Sequence, residues 1–318
     1  MTAEPELKAS RQGYGDGLLE LGKKNKNVVA LDADLAGSTK SSLFAKEFPE
    51  RFFDIGISEQ DLIGTAAGLA AAGKIAFPSS FAVFVTGIPY NVIRALVAYP
   101  KLNVKLVGSH GGLLTGEDGA THQSLEDIGL MRGLPNMKVI VAADYTEAKK
   151  AVSAMAETDG PVYMRTARSK TPVLFDDNYK FEFGKATELR KGKDVAILAC
   201  GPLVSESLAA AEELGKKGIS VSVVNMSSIK PIDEKMILKK AGECKAIVTA
   251  EDHSMINGLG TAVQEVISNN CACIAIEKVA VKDVFGESGK PKELYKKYGL
   301  DSEAIVKAAE KALTRCKK

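Results

Sequence analysis

The sequence predicts an α/β protein of two domains, in which a parallel sheet flanked by helices precedes a smaller α/β domain. Short apolar runs alternate with helical segments through roughly the first 160 residues, which is typical of parallel strands joined by helices. A proline and adjacent charges break this alternation over residues 168–183, and a second alternating series follows. We therefore predict a first domain over residues 1–175, a linker over 176–188 and a second domain over 189–318.

The spacing of apolar residues predicts the elements of the first domain. Residues 6–24 have Tyr14, Leu18 and Leu21 at helical spacing, and residues 28–32 form an apolar run that predicts a buried strand. Further strands are predicted over 75–80, 104–107, 138–141 and 161–164, and further helices over 60–72, 90–99 and 146–157. The helix over 60–72 is rich in alanine and glycine, so it must pack closely against a neighbour.

The second domain is predicted from the same pattern. Its strands are predicted over 195–198, 221–224, 246–250 and 271–276, and its helices over 204–217, 234–241 and 259–268. Two final helices that end in basic residues complete the chain.

Composition excludes several classes of protein. The 45% of hydrophobic and 26% of charged residues are typical of a soluble globular chain. A net charge of +2, from 42 basic and 40 acidic residues, gives no general attraction to nucleic acid or to a membrane. No segment has the length of a membrane span, and residues 1–5 do not have the layout of a signal peptide.

The five cysteines are Cys200, Cys244, Cys271, Cys273 and Cys316. Cys200, Cys271 and Cys273 fall in apolar, strand-like runs, where a reduced cysteine behaves as a small hydrophobic residue. Cys271 and Cys273 could form half of a metal site, but no histidine or second cysteine pair accompanies them, so we predict no metal site. An odd number without paired spacing indicates a cytoplasmic protein in a reducing environment.

The segment from Val107 to Arg132 is the strongest candidate for a functional site. It contains His110 and His122, two of only three histidines, around the acidic pair Glu117-Asp118. It also follows a predicted buried strand, and loops at the carboxyl ends of strands usually carry the chemistry of an open α/β sheet. Glycines alone would indicate ordinary turns, but the two histidines around an acidic pair favour a site.

Two neighbouring segments allow both a structural and a functional interpretation. Ser58 could cap the predicted helix, and Glu59 and Asp61 could complement its dipole. Glu59 could instead be buried by the small-residue face of its helix, where it would share a proton with a ligand nitrogen. Phe81 and Phe84 end the next strand, and in isolation such a pair is more often part of a core than a stacking platform.

Three further segments place polar groups where a ligand could bind. Residues 32–39 could bind a polar ligand, although turn formation explains the same composition. Arg165 and Arg168 could hold an anion or form surface ion pairs. The Gly-Asp-Gly sequence at 15–17 lies inside the first predicted helix rather than after a strand, so it is a poor candidate for a phosphate or metal loop.

Taken in order, these segments resemble the C-terminal half of transketolase. Residues 54–61 are similar to the glutamate motif of that family, and residues 78–84 to its aromatic strand end. The most specific match is Gly-Ser-His110 followed by Gly-Glu-Asp118-Gly-Ala-Thr-His122-Gln. Further matches at 134–136, 143–147 and 167–172 make six colinear segments. The resemblance implies a pyrimidine-binding domain followed by the C-terminal domain of the family.

Complete transketolases also contain a GDG…N motif that holds a metal ion and the diphosphate of thiamine diphosphate. The sequence at 15–17 lacks both the preceding strand and the terminal asparagine. The resemblance therefore implies the second subunit of a split transketolase, whose N-terminal partner subunit would hold Mg²⁺ or Ca²⁺, in an α2β2 assembly. The family often has a tyrosine after the aromatic pair, where this chain has Gly87.

The resemblance also implies roles for individual residues. Glu59 would hydrogen-bond the aminopyrimidine of the cofactor and favour the imino tautomer that deprotonates the thiazolium carbon. Phe84, with Phe81 beside it, would stack on that ring, and His122 would lie near the cofactor amino group and the substrate oxygen. The catalytic residues would be Glu59, His110 and His122. The residues expected to bind the sugar or its phosphate are Arg11, Asp34, Ser38, His110, Asp118 and Arg168.

The sequence therefore favours an enzyme that transfers a two-carbon ketol unit between sugar phosphates of the pentose phosphate pathway. A β subunit of a 2-oxo-acid dehydrogenase and a deoxyxylulose-phosphate synthase-like fragment share the two-domain layout, although the dehydrogenase subunit would be expected to lack the loop around His122. A non-catalytic binding subunit is a third alternative, and the retention of four residues argues against it: Glu59, His110, Asp118 and His122. His253 is interpreted as a structural residue.

Overall fold

The computed structural model describes residues 6–315 and contains two sheets of mainly parallel strands covered by helices, which confirms the predicted fold class. The first eight strands are β1 (Leu7–Ala9), β2 (Val28–Asp32), β3 (Phe52–Asp54), β4 (Ile75–Phe81), β5 (Lys105–Ser109), β6 (Lys138–Val141), β7 (Val162–Arg165) and β8 (Lys170–Pro172). The remaining strands are β9 (Thr187–Arg190), β10 (Val195–Ala199), β11 (Val221–Asn225), β12 (Ser228–Lys230), β13 (Ala246–Ser254) and β14 (Ala275–Val281).

Thirteen α-helical segments join the strands of the described range. Up to the linker they are α1 (Ser10–Lys24), α2 (Ala36–Thr39), α3 (Ser42–Glu47), α4 (Glu59–Ala71), α5 (Ala82–Gly87), α6 (Tyr90–Val92), α7 (Asp127–Gly133) and α8 (Tyr145–Glu157). Beyond it they are α9 (Leu203–Lys216), α10 (Glu234–Glu243), α11 (Leu259–Asn269), α12 (Pro291–Tyr298) and α13 (Ser302–Arg315). Short 3-10 segments span Pro49–Arg51 and Leu113–Asp118, and a π-helix spans Ile93–Ala98.

The first sheet has the order β12-β6-β7-β5-β4-β2-β3, and its strands are parallel except for β12. Asp32 lies opposite Ser79, and Phe81 lies opposite Ser109. The carboxyl ends of β2, β4 and β5 are therefore neighbours, which brings the segments that follow them to one edge of the sheet.

The second sheet has the order β14-β13-β10-β11-β9, and only β9 is antiparallel to its neighbour. Every residue of β10 and β11 is buried, as expected for parallel strands covered on both faces.

Strand β12 joins the two halves of the molecule. It follows β11 in the chain, yet it pairs with β6 of the first sheet. The Lys230 ammonium donates hydrogen bonds to the carbonyl oxygens of Arg132 (3.0 Å) and Leu134 (2.6 Å). One apolar cluster includes Val139 from β6 and Leu198 from β10. The domain boundaries drawn from the sequence stay a prediction, because these contacts cross them.

Several predicted boundaries differ from the structure. The first helix begins at Ser10 rather than at residue 6, because residues 7–9 form β1, which pairs with β8. The segment predicted as one helix over 90–99 divides into α6 and the π-helix. The last described strand begins at Ala275, so the strand predicted over 271–276 starts four residues too early, because Cys271 has φ of 52° in the turn after α11. Cys271 and Cys273 are exposed, whereas Cys200 is buried as predicted.

The Gly-Asp-Gly sequence at 15–17 lies within α1, as predicted. A Cβ atom on Gly17 would lie 2.8 Å from the carbonyl oxygen of Lys149, so the glycine allows α1 to pack closely on α8. The Asp16 carboxylate accepts a hydrogen bond from the hydroxyl of Tyr145 at 2.7 Å.

Cys316 and residues 1–5 lie outside the described residues. Within residues 6–315, no helix combines the length and the apolar character needed to cross a membrane.

The buried Glu147 carboxylate connects three segments of the chain. It accepts hydrogen bonds from the Ala143 amide (2.8 Å), the Tyr179 hydroxyl (2.6 Å) and the Asn225 side-chain amide (2.9 Å). These donors lie before α8, in the predicted linker and at the end of β11. Burial raises the pKa of Glu147, and the hydrogen bonds from Tyr179 and Ala143 lower it because they favour the charged form.

We predict that Glu147→Ala lowers the free energy of unfolding by about 3 kcal/mol, because it leaves buried donors without an acceptor. Urea unfolding followed by circular dichroism measures this change. Glu157→Ala, at the exposed end of the same helix, is the control and should change stability by less than about 0.5 kcal/mol. Equal effects of the two substitutions would contradict the proposed connection.

Candidate active site

The predicted loop lies where β5 ends. Ser109 is the last residue of β5, and His110 follows it with φ of 60°, in the left-handed region. The chain then forms the 3-10 segment Leu113–Asp118 and enters α7. The reversal places the His110 side chain beside the end of β4, where Phe81 lies.

Aromatic rings from β4, α5 and the loop form one cluster. The rings of Phe81 and His110 stack with their centroids 3.8 Å apart, and Phe84 lies nearly parallel to Phe81 at 5.9 Å. The His122 ring meets Phe84 edge-on at 5.2 Å. Phe81 is buried, as the core interpretation predicts, whereas Phe84 is half-buried.

Glu59 begins α4 and is buried next to this cluster, with 6% of its surface exposed. Its carboxylate accepts a hydrogen bond from the hydroxyl of Ser80 at 3.1 Å, and Ser80 directly precedes Phe81. Ser58 occupies the N-cap position, but its side chain makes no capping hydrogen bond within the described residues, so its predicted capping role is wrong. Asp61 lies in the first helical turn, as predicted.

Two arginines that are far apart in the sequence, Arg11 and Arg168, lie near His110. The Arg11 guanidinium donates to the carbonyl oxygen of Ser38 at 3.0 Å and to Nε2 of His110 at 3.3 Å. Burial, and then the positive charge of Arg168, lower the pKa of Arg11. The Nε atom of Arg11 is buried without a hydrogen-bond partner among residues 6–315. Two guanidinium groups close enough to lower a pKa in this way form a cationic group to which an anion could bind.

The acidic pair of the loop faces the second of these arginines. Arg168 lies 3.4 Å from the carboxylates of both Glu117 and Asp118, and it donates to the carbonyl oxygen of Thr115. The Asp118 carboxylate is thus oriented by Arg168 at the same site. These ion pairs are exposed enough to exchange for contacts with a ligand.

His110 is held in its neutral form. Burial, and then the charges of Arg11 and Arg168, lower its pKa to about 3. Lys40 adds a smaller effect of the same sign. The sequence analysis did not predict Lys40 or Ser109 as site residues. The only signal for Lys40 was its position two residues after Ser38.

The contacts described above join nine of the predicted site residues into one region. They are Arg11, Ser38, Glu59, Phe81, Phe84, His110, Asp118, His122 and Arg168. Asp34 is exposed on the turn after β2, with φ of 61°, and its amide donates to the Asp54 carboxylate at 3.1 Å. No hydrogen bond or ion pair between described residues joins its side chain to the others. The Asp32 side chain accepts from the Leu35 amide and the Thr39 hydroxyl, so it stabilises the turn.

Arg165 is buried rather than available to an anion, so its suggested anion-binding role is wrong. It lies 3.4 Å from the Asp127 carboxylate and donates to the carbonyl oxygen of Asp252 at 2.6 Å.

His253 is buried, and its Nε2 atom accepts a hydrogen bond from the Gly129 amide at 3.4 Å, which is a structural contact. Among residues 6–315, no group of three or more His, Cys, Asp or Glu side chains could hold a metal ion.

Comparison with known proteins identifies both domains. Residues 7–173 match the family model of the transketolase pyrimidine-binding domain, and residues 184–305 match that of the transketolase C-terminal domain.

Curated relatives extend these matches. A protein of Methanocaldococcus jannaschii, provisionally named transketolase C-terminal section, is 52% identical and the match covers 94% of this chain and 95% of that protein. A Clostridium protein named as a 6-deoxy-6-sulfo-D-fructose transketolase subunit is 42% identical, with 96% and 94% covered. Transketolase of Mus musculus is 38% identical over 96% of this chain, which spans only 49% of the mouse protein.

A solved structure described as a split gene transketolase, an inactive beta4 tetramer, matches with a TM-score of 0.90 and 50% identity. The match covers 96% of this chain and 98% of the solved one. The chain therefore belongs to the transketolase family, whose pyrimidine-binding and C-terminal domains it contains in that order.

Proposed function

We propose that the chain is the C-terminal subunit of a split, thiamine diphosphate-dependent transketolase. With a separate N-terminal subunit it transfers a two-carbon ketol unit between ketose and aldose phosphates. The observation that carries this proposal is the continuous set of contacts from Glu59 through Ser80 and Phe81 to His110 and Arg11. It joins a buried carboxylate and aromatic rings to a cationic group, which suits a heterocyclic cofactor beside an anionic substrate.

The residues present fit the pyrimidine end of thiamine diphosphate. Phe84 offers a half-buried ring for stacking, and Glu59 provides a buried carboxylate near it. Glu59, Phe81, Phe84 and His122 would hold this end of the cofactor. When bound, thiamine diphosphate supplies the electron sink needed to break a carbon–carbon bond next to a carbonyl group. Glu59 would hold a proton between its carboxylate and a ring nitrogen.

The cationic group suits the phosphate of the sugar. Arg11 and Arg168 would bind phosphate oxygens, with Ser38 beside Arg11, because guanidinium groups match the geometry of that anion. His110 and Asp118 would bind sugar hydroxyls, and Asp34 would contact a further hydroxyl from the neighbouring turn.

The lengths of the relatives support the proposal of a separate partner subunit. The chain spans about half of the mammalian transketolases that it matches. We propose that the N-terminal subunit, with the GDG…N motif, binds Mg²⁺ or Ca²⁺ and the diphosphate, in an α2β2 assembly. One relative is named for a sulfonated sugar, so the sugars are best established by comparing phosphorylated and sulfonated donors.

We predict that ketol transfer from xylulose 5-phosphate to ribose 5-phosphate, with thiamine diphosphate and Mg²⁺, requires both subunits. The assay compares this chain alone, the partner alone and the mixture. Activity of this chain alone would show that the diphosphate site is wrongly assigned to the partner. A stable complex that decarboxylates pyruvate instead would favour the synthase-like alternative, and an inactive complex would favour a binding subunit.

We predict that Glu59→Gln lowers kcat of the reconstituted enzyme by about 100-fold or more, because an amide cannot exchange a proton with the cofactor. Steady-state assays of the mixture measure this change. Asp61→Asn is the matched control, since Asp61 lies in the same helical turn but is exposed. Near-normal turnover of Glu59→Gln would rule out the role proposed for this residue.

The contacts of His110 also define which ring nitrogen carries its proton. The Arg11 guanidinium can only donate, so Nε2 of His110 must accept at 3.3 Å. The proton of the neutral ring is therefore on Nδ1, which donates to the Ser109 hydroxyl at 2.8 Å. The folded chain favours the neutral ring, so its stability should fall as the pH decreases from the ordinary histidine value of about 6.5 towards about 3.

We predict that ¹⁵N spectra of the isolated chain show His110 as the neutral Nδ1–H form, without titration from pH 8 to pH 5. The chain contains only three histidines, so His122→Asn and His253→Asn variants assign the signals. Arg11→Gln should raise the pKa of His110 but leave it below the ordinary value, because burial is the larger cause. A midpoint near 6.5 in the unmodified chain would contradict this account.

A further inference from the structure

The segment from His110 to Asp118, here called the active-site loop, rests on the second half of the molecule. The first half of the chain also contacts this loop: the Gly111 amide donates to the Thr166 carbonyl oxygen at 3.3 Å, and the Ser169 hydroxyl donates to the Leu114 carbonyl oxygen at 2.9 Å. Its central residues are held by side chains from β13 and from the region of α12. The second domain therefore forms one wall of the candidate site.

Asp252 makes the central contact. It lies near the end of β13 and is buried. Its carboxylate accepts hydrogen bonds from the Leu113 amide at 2.9 Å, the Leu114 amide at 3.4 Å and the Tyr295 hydroxyl at 3.0 Å. Hydrogen bonds to a buried carboxylate are stronger than those between neutral groups. One carboxylate of the second domain thus fixes two consecutive backbone amides of the loop.

The approach of this carboxylate to the loop is unusually close. A Cβ atom on Gly112 would lie 2.2 Å from the Asp252 carboxylate, and Gly112 has φ of 79°. The position therefore admits no side chain. Asp252 is fixed in turn, because its carbonyl oxygen accepts from the Arg165 guanidinium at 2.6 Å.

A second set of contacts holds the far end of the loop. The Ser288 hydroxyl donates to the carbonyl oxygen of Glu117 at 2.6 Å. The Gln123 side-chain amide donates to the carbonyl oxygens of Gly116 (3.2 Å) and Glu287 (2.9 Å). Pro291, the first residue of α12, packs against Gly116. Both ends of the 3-10 segment are thereby attached to the second domain.

The attached segment carries groups of the candidate site. The Thr115 hydroxyl donates to the carbonyl oxygen of His110 at 2.7 Å, and the Thr115 carbonyl oxygen accepts from Arg168. Asp118 ends the segment beside Arg168. Gly116 has φ of 78° and ψ of −123°, so the helical geometry is interrupted before Asp118. A displacement of the Leu113 and Leu114 amides would therefore act first on the adjacent Thr115, which contacts the His110 carbonyl oxygen and orients Arg168. Glu59 and Phe84 lie on α4 and α5, outside this connection.

We propose that the second domain sets the substrate-binding geometry of the active-site loop, and that Asp252 is the positioning residue that does so, with Tyr295 in support. The inference rests on the proposed function for its kinetic consequence. It assigns to the C-terminal domain a role in binding the sugar phosphate, through the loop that it holds.

The test compares Asp252→Asn with Glu251→Gln. Glu251 is adjacent on β13 and equally buried, and its carboxylate accepts from the Leu259 and Gly260 amides at 2.7 and 2.8 Å. These amides belong to the start of α11, not to the loop. Glu251 is therefore a buried carboxylate that accepts backbone hydrogen bonds, as Asp252 is, but it does not contact the active-site loop. Tyr295→Phe supplies a milder variant, which carries the test if Asp252→Asn does not fold.

In Asp252→Asn we expect hydrogen exchange of the amides over 111–119 to accelerate about tenfold, as loss of one good hydrogen bond would produce. In the reconstituted enzyme, KM for the sugar phosphate should rise about tenfold or more, because small displacements of binding groups are costly. The dissociation constant of thiamine diphosphate should stay unchanged. Glu251→Gln should lower the melting temperature without changing loop exchange or KM.

The inference would be overturned by unchanged loop exchange in Asp252→Asn, by faster exchange with unchanged KM, or by equal changes in both variants. A fall in kcat with unchanged KM would also do so, because it would indicate a general loss of structure. If the unmodified subunits transfer no ketol unit, the proposed function fails, and loop exchange alone then decides whether Asp252 holds the loop.

Discussion

The buried guanidinium of Arg165 is the interaction on which the arrangement of this chain depends. A charge that is removed from water must find its partners within the protein, and those of Arg165 come from three segments. They are the Asp127 carboxylate of α7, the Ser124 carbonyl oxygen after the loop and the Asp252 carbonyl oxygen of the second sheet. The Tyr163 hydroxyl also donates to Asp127 at 2.6 Å. The first sheet, the segment that follows the active-site loop and the second sheet therefore share one set of contacts around Arg165.

The candidate site combines groups that would repel one another without a ligand. Arg11, Arg168 and Lys40 all lower the pKa of His110, and Arg168 lowers that of Arg11. Glu117 and Asp118 compensate the charge of Arg168 in part, whereas the buried Nε of Arg11 has no hydrogen-bond partner among residues 6–315, which costs free energy in the folded chain. In natural proteins, a local loss of folding free energy of this kind is typical of functional sites, where a bound ligand provides the missing interactions. The electrostatics of the site are thus more consistent with binding an anion than with a structural role.

The sequence predicted the fold class well because buried parallel strands leave a strong local signal. Residues 28–32 and 138–141 coincide with β2 and β6. The three residues of β12 have no such signal, since their pairing with β6 depends on a contact formed only in the folded chain. The same limit applies to the site: the loop around His110 was recognised, but burial of Arg165 depends on Asp127 and Asp252, which are distant in sequence. Cys271 was placed in a strand because apolar composition does not reveal a turn with positive φ.

The crossing of β12 onto the first sheet has a consequence for the behaviour of fragments. A polypeptide that ended before residue 228 would leave the outer edge of β6 unpaired, and that strand has the sequence Lys-Val-Ile-Val. An exposed, mainly β-branched edge of this kind is a template for pairing with other chains. The pyrimidine-binding half expressed alone would thus be prone to self-association, and the second half acts, through three residues, as its protection against aggregation.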